Sequence, residues 1–392
     1  MRVESGLVER PLSSGIERTA GELAHQPGAP RSTASAVTSS DDLRSYHSAN
    51  LPRLLREIRA SLAISTYQSG RVVLVRADGD QINTHFRAFP RPMGIAVAPH
   101  HLAIGTQQSV WDYHDEPDVG SKLDPPGRHD ACFLPRACHV TGQINVHEIA
   151  FAEDGLWIVN TRFSCLSMLG VRHSFIPRWR PPFITALAPE DRCHLNGLAI
   201  KDGRVCWVTA FGATDTFQGW RENKANGGVL MAVPSGEIVA RGLSMPHSPR
   251  WYDGKLWVLE SGRGTVATVD PATGRVETVA ELPGFTRGLA FAGPLAFVGL
   301  SQVRETNAFG GIPLNDRMEE RLCGVWALDI RTGKTVGFLR FDGLVQEIFD
   351  VQILRGLCFP EIAEPESDLA GSSFVLPPAA TASPEVAALQ QF

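Results

Sequence analysis

The sequence predicts an all-β fold, a six-bladed β-propeller closed by a 1+3 clasp, and three observations carry that prediction. Glycine and proline are abundant, 37 and 27 of 392 residues, while 19 Phe and 8 Trp supply the large apolar groups. This mixture suits short strands joined by tight turns better than long helices. One pattern then recurs along the chain: a short apolar strand, a turn, and a second apolar strand that often carries Trp. It reads MGIAVAPHHLAIGT from Met93, HEIAFAEDGLWIVNT from His147, NGLAIKDGRVCWVTA from Asn196, HSPRWYDGKLWVLES from His247 and RGLAFAGPLAFVGLS from Arg287, with a degenerate sixth copy, QEIFDVQIL, from Gln346. The starts lie 54, 49, 51, 40 and 59 residues apart, close to the length of a four-stranded blade.

The remaining elements fall into place around these copies. Residues 1–48 are rich in Ser, Thr, Ala, Pro and Gly without sustained periodicity, and are expected to form a disordered arm. LPRLLREIRASL predicts a short helix, after which LAISTYQS, GRVVLVRADG and INTHFRAF supply the second, third and fourth strands of a blade that lacks its first. The stretch Gln346 to Leu354 offers a first strand without a sheet. Pairing it with the strand from Leu62 closes the ring and removes the exposed edge a linear array would leave. GTVATVDP and GRVETVAEL follow the fourth copy, and CGVWALDI and GKTVGFLRF the fifth, as third and fourth strands. Residues 107–143 read as the longest insertion in the 49–363 propeller, hanging over one face either as a lid on the central pocket or as a solvated loop, and carry Trp111, Asp112, His114, Asp115, His129, Asp130, Arg136 and His139. Residues 364–392, punctuated by Pro and low in complexity, are expected to be a flexible tail.

Several function classes are excluded on composition and motif. With 37 basic against 42 acidic residues the net charge is −5, so no basic footprint favours nucleic acid or an anionic membrane. No apolar run is long enough to span a bilayer, and the first residues carry acids where a signal peptide would be apolar. The expected compartment is the cytoplasm. Seven scattered cysteines without a CxxC argue for buried thiols rather than a disulfide framework or zinc ribbon. GxSxG, GxxxxGK[ST], HExxH and a dinucleotide fingerprint are all missing. The partner expected is a small-molecule or peptide ligand; the sequence does not set the oligomeric state.

Chemistry is expected on the axis, where the first strand of every blade converges. The register there reads Met93, His147, Asn196, His247, Arg287 and Gln346, with His194 two residues before Asn196. Neutral imidazoles with an amide oxygen form an N/O set suited to Zn²⁺, Mn²⁺ or Fe²⁺ rather than Ca²⁺. His147, Asn196 and His247 are therefore the candidate metal ligands. His194 is a further ligand or substrate contact, and Arg287 a fork for a carboxylate or developing oxyanion. The same residues read equally as polar channel lining bridged by water. Glu148, next to His147, points to the opposite strand face and into a neighbouring sheet. Asn160-Thr161-Arg162-Phe163-Ser164 and Thr209-Ala210-Phe211-Gly212, at the ends of second strands, are candidates for the pocket rim.

The segment His194-Leu195-Asn196-Gly197-Leu198-Ala199 resembles the first-strand motif of the gluconolactonase/regucalcin family and of the wider group of six-bladed propellers that includes strictosidine synthase. That resemblance implies Asn196 as a ligand of a central divalent metal. The family's Asp-Gly and Glu positions are replaced here by His247-Ser248 and His147-Glu148. A His-rich centre with an Arg is instead similar to propeller lyases such as peptidyl-hydroxyglycine amidating lyases and oligogalacturonate lyases. From 51 to 362 the text, with DACFLPRACHVTGQINVHEIAFAEDGLWIVNTRFSCL, RPPFITALAPEDRCHLNGLA and FPEI, also resembles a bacterial family of conserved hypothetical propeller proteins with no assigned activity. The expectation is a metal-dependent enzyme performing lactone-type hydrolysis or a lyase or isomerase step at the central channel. The alternative is a non-catalytic platform that binds a peptide or metabolite.

Overall fold

Strand alternation explains how one apolar sequence serves two cores at once. In the computed structural model, which describes residues 43–302 and 310–376, Leu62 and Ile64 pack toward one neighbouring sheet while Ala63 between them packs toward the other. Val73 and Val75 divide from Val72 and Leu74 in the same way. Repeated around the molecule, this gives six sheets and a separate apolar cluster in each of the six gaps between neighbours. The fold is a six-bladed β-propeller.

Blade 1 comprises Ala60–Thr66, Arg71–Asp78 and Gln81–Ala88, with Asp350–Arg355 as its innermost strand. Ile353 pairs with Leu62 and Asp350 with Ser65, so the expected 1+3 clasp is present. Blades 2 to 6 begin at Ile95, Val146, Leu195, Pro246 and Phe285. Phe349 N–H bonds Ser65 O at 2.8 Å, and this pairing makes Phe349, not Gln346, the blade 1 counterpart of His147 and His247. The degenerate sixth copy hid a three-residue offset.

Both chain ends reinforce the closure. Leu43–His47, inside the stretch 1–48 expected to be an arm, pairs with Lys334–Gly343 as a fifth strand of blade 6. The short helix Leu51–Glu57 then buries Leu51 and Leu55 between blades 6 and 1. At the other end Pro360–Ile362 adds a fifth, parallel strand to blade 2 along Ala131–Phe133. Glu361 on it is gripped by Arg87 at 2.8 Å and His85 at 3.1 Å. Beyond it, Asp368–Ser372 forms one helical turn within the expected tail. Residues 1–42 and 377–392 of the expected arm and tail lie outside the described residues.

The reading of 107–143 as an insertion is corrected. Ser109–Asp115 and Ala131–Val140 are the third and fourth strands of blade 2, and only the residues between them form a connection. Their polar character misled because outer strands of a blade face water on one side. That connection leaves from the end of the third strand, beside the turn after the first strand, where Asp115 bonds His100 at 3.0 Å. It lies on the face opposite the axial histidines, where Arg128 meets Asp78 of blade 1 and the Phe359 ring. Cys132, Cys165, Cys193 and Cys323 are buried free thiols, whereas Cys138 is exposed.

At the axis the blades alternate. Asp350 of blade 1 accepts Ile95 N–H of blade 2 at 2.8 Å, Glu148 of blade 3 accepts Leu198 N–H of blade 4 at 3.1 Å, and Ser248 of blade 5 accepts Gly288 N–H of blade 6 at 3.0 Å. The even blades carry Gly94, Gly197 and Gly288 at this register. A Cβ on Gly94 would sit 2.8 Å from the Glu148 Cα, and one on Gly288 2.6 Å from Val351 N. Arg250 fills the space between, paired with Glu148 and 4.0 Å from Asp350.

Two stability predictions follow from this geometry. Truncation after Gly343 removes the clasp and the outer strand of blade 2, and calorimetry should find no cooperative melt. Deleting residues 1–48 removes the outer strand Leu43–His47 and should lower the melting temperature while keeping one transition. Separately, Glu148→Ala takes from the partly buried Arg250 its ion-pair partner and should cost up to about 3 kcal/mol in urea unfolding. Glu57→Ala, in an exposed i,i+4 pair with Arg53, should cost less than about 1 kcal/mol.

Candidate functional site

The starts of the first strands surround a cavity of about 290 Å³. His147, His247, Arg287 and Phe349 reach it from the axial register, and His194 reaches it from the loop before blade 4. Asn196 does not line it. Its Oδ1 accepts Thr209 Oγ1–H at 2.7 Å within blade 4, and its Nδ2 is buried without a partner.

Each imidazole is fixed through Nδ1. Thr161, just past the second strand of blade 3, donates its hydroxyl to Leu195 O at 2.5 Å and stands 2.8 Å from His147 Nδ1. With its only proton committed, Thr161 Oγ1 must accept from the ring, so Nδ1 carries the hydrogen and Nε2 is bare. Blade 5 repeats the device: Ser261 donates to Thr286 O at 2.5 Å and accepts from His247 Nδ1 at 2.8 Å, with Met245 O a second acceptor at 3.1 Å. His194 Nδ1 lies 2.8 Å from Asp191 Oδ2, which also accepts Trp220 Nε1–H at 3.2 Å. Asp191 and His194 both adopt left-handed backbone, φ 50° and 51°, a conformation that non-glycine residues hold only where surrounding contacts impose it.

Aromatic rings close the walls. His194 stacks on Phe211 at 4.4 Å and meets Trp220 at 4.5 Å, while His147 stands 4.7 Å from His194 and 6.5 Å from His247, centroid to centroid. The Arg287 guanidinium lies 3.3 Å over the Phe349 ring. Its Nη1 is 3.6 Å from Glu347 Oε1 and its Nη2 has no hydrogen-bond partner. Burial lowers Arg287 to about 10, with the charge pulled back up by Glu347; a guanidinium stays protonated there. Burial also holds His147 and His247 well below the usual imidazole range, reinforced by the neighbouring His194 ring and the Arg287 guanidinium. The cavity therefore presents bare imidazole nitrogens beside one incompletely paired cation.

As a metal centre the cavity has the right donor chemistry but not the gathered geometry. Among the described residues, the group of three His, Cys or carboxylate side chains with donor atoms within 4.8 Å of one another is His101, Asp112 and His114 on blade 2. The axial imidazoles do not form such a group. Sequence reasoning placed His147, His194, His247 and Arg287 on the site, and the cavity brings these four together. It missed Asp191, Ser261, Trp220 and Phe349. The His-bearing copies did hold one signal, a hydroxyl residue 14 positions after each axial histidine, Thr161 and Ser261.

The buried imidazoles give stability a defined pH dependence. In the unfolded chain they take up protons below about pH 6.5; in the fold they stay neutral, so stability present above that pH is lost as pH falls. Each should contribute up to about 1.4 kcal/mol per pH unit. Urea unfolding between pH 7.5 and 5 should show a shallower acid slope for His147→Gln/His247→Gln than for the parent protein. Equal slopes would mean that the imidazoles charge in place.

Among the described residues no helix is long and apolar enough to cross a membrane. No curated protein matches the chain. Solved structures similar to it include one titled as a nidogen/laminin complex, at 12% identity and TM-score 0.45, covering 76% of this chain and 100% of that one. Another is a protein of unknown function from Bacteroides caccae, at 12% identity and TM-score 0.48, covering 76% and 99%. Nothing about function follows from either. The profile described as "Domain of unknown function (DUF4915)" matches residues 49–363, the span of the propeller from the helix to the end of the blade 2 outer strand. The chain belongs to that family.

Proposed function

We propose that the protein is a small-molecule enzyme whose reaction site is the axial cavity, acting on a carboxylate-bearing substrate by a proton-transfer step of lyase or isomerase type or by lactone hydrolysis. The observation that carries this reading is the His194–Asp191 pair facing a buried Arg287 whose Nη2 is unpartnered. Arg287 would hold the carboxylate, or the oxyanion that develops beside it, through its fork of donors. His194 Nε2 would take the proton, with Asp191 holding the tautomer and stabilising the imidazolium that forms. Phe349, Phe211 and Trp220 would keep water from the reacting atoms, which strengthens each of these interactions.

A second reading keeps a divalent metal, Zn²⁺, Mn²⁺ or Fe²⁺, in the same cavity. It is favoured by the anchoring of His147, His194 and His247, since metal-bound histidines almost always donate their other N–H to an oxygen. The metal would supply a Lewis acid or an activated water. This requires the imidazole nitrogens to draw closer than they stand here. Arg287 and the aromatic wall also suit a binding platform for an anionic metabolite or peptide.

Variants separate the three. With a substrate found by screening carboxylates and lactones, Arg287→Gln should weaken binding about 10-fold or more. His194→Gln and Asp191→Asn should each lower kcat by about 100-fold or more with small change in KM. If both variants turn over like the parent, His194 is not the base. If binding occurs without turnover, the platform reading replaces the enzyme. Stoichiometric metal in the purified protein, lost from His147→Gln/His247→Gln, would favour the metal centre.

A further inference from the structure

On blade 2, away from the axis, the second and third strands place three donor groups on one face. His101 of His101–Gly105 pairs directly with His114 of Ser109–Asp115, and Asp112 faces Ala103 two pairs along. Strand alternation puts all three on the same side of the sheet. The carboxylate bridges the Nε2 edges of the two rings: Asp112 Oδ2 is 2.9 Å from His101 Nε2, and Oδ1 is 3.0 Å from His114 Nε2. The imidazoles stack with centroids 4.4 Å apart, and His101 is backed by Phe151 of blade 3 at 4.4 Å.

The two carboxylate contacts are unequal. His101 makes a proper hydrogen bond to Oδ2. His114 approaches Oδ1 as closely, yet outside hydrogen-bonding geometry, and Oδ1, shielded from solvent, has no hydrogen-bond partner. An orphaned carboxylate oxygen beside a second imidazole nitrogen is the arrangement a shared cation completes. We infer that His101, Asp112 and His114 form a divalent transition-metal site of the Zn²⁺, Co²⁺ or Ni²⁺ class. Two imidazoles and one carboxylate match the donor preference of these ions and leave coordination positions for water. His114 is half exposed, which gives the ion a path in. The ligands sit on paired strands rather than on a loop, so little ordering is needed on binding.

The test uses the full-length, chelator-treated protein titrated with Zn²⁺ by calorimetry and with Co²⁺ by visible absorption. The parent protein should bind one equivalent that His114→Ala and Asp112→Asn each weaken by at least about 100-fold, while His147→Gln/His247→Gln leaves it intact. Melting curves confirm that the variants stay folded. Binding that survives in His114→Ala, or no saturable binding in the parent below millimolar Zn²⁺, overturns the assignment. Binding lost only in the axial double variant does so as well, and moves the metal to the central cavity.

Discussion

Six strands must converge on one axis, and no more than half can carry a side chain inward at the same level. This protein meets the constraint by alternation: Asp350, Glu148 and Ser248 of the odd blades each accept a backbone N–H from the first strand of the following even blade. The even blades hold glycine there, which lets the next backbone close in. A sixfold architecture is thus joined by a threefold set of contacts. The buried carboxylates would be costly alone. Each takes a backbone donor, and Arg250 supplies the opposite charge between Glu148 and Asp350. Burial nonetheless pushes both acids upward, Glu148 to about 7.

The same alternation positions the candidate site one step up the axis. Ser65, Thr161 and Ser261, at the ends of second strands in the odd blades, donate to Met93 O, Leu195 O and Thr286 O of the even blades. In blades 3 and 5 the hydroxyl that bridges two sheets also fixes an imidazole; in blade 1 the imidazole is replaced by Phe349. A joint between blades therefore serves as the outer support of His147 and His247, so the ring orientations are set by the scaffold. His194 is supported differently, by Asp191 and aromatic stacking in a strained loop.

Two arginines near the axis show how partner geometry decides role. Arg250 makes hydrogen bonds to the carbonyls of Leu289 and Pro249 besides its ion pair with Glu148, and its donors are consumed in holding blades together. Arg287 has one distant carboxylate and an aromatic face, and keeps an unused donor at the cavity. Both are first-strand residues, Arg287 the more deeply buried, and their neighbours distinguish a cation spent on holding the fold from one with a donor to spare.

The sequence by itself determined the blade count, the clasp between Gln346–Leu354 and the strand from Leu62, and the axial placement of His147, His247 and Arg287. These depend on period and alternation, which are local properties repeated often enough to be read without coordinates. Tertiary structure decided the rest. The fifth strands Leu43–His47 and Pro360–Ile362 were hidden because an outer strand needs only a free edge, not an apolar pattern. Ser109–Asp115 was hidden because its water-facing side chains mask the strand period. Phe349 replaced Gln346 because pairing with Ser65 fixed a register that a degenerate repeat left open. Asn196 and His194 exchanged prominence because Asn196 is engaged by Thr209 within its own blade, while Asp191 and the Phe211 ring hold His194 at the cavity. His101 joined Asp112 and His114 through cross-strand pairing, a neighbour relation that no spacing in the chain encodes.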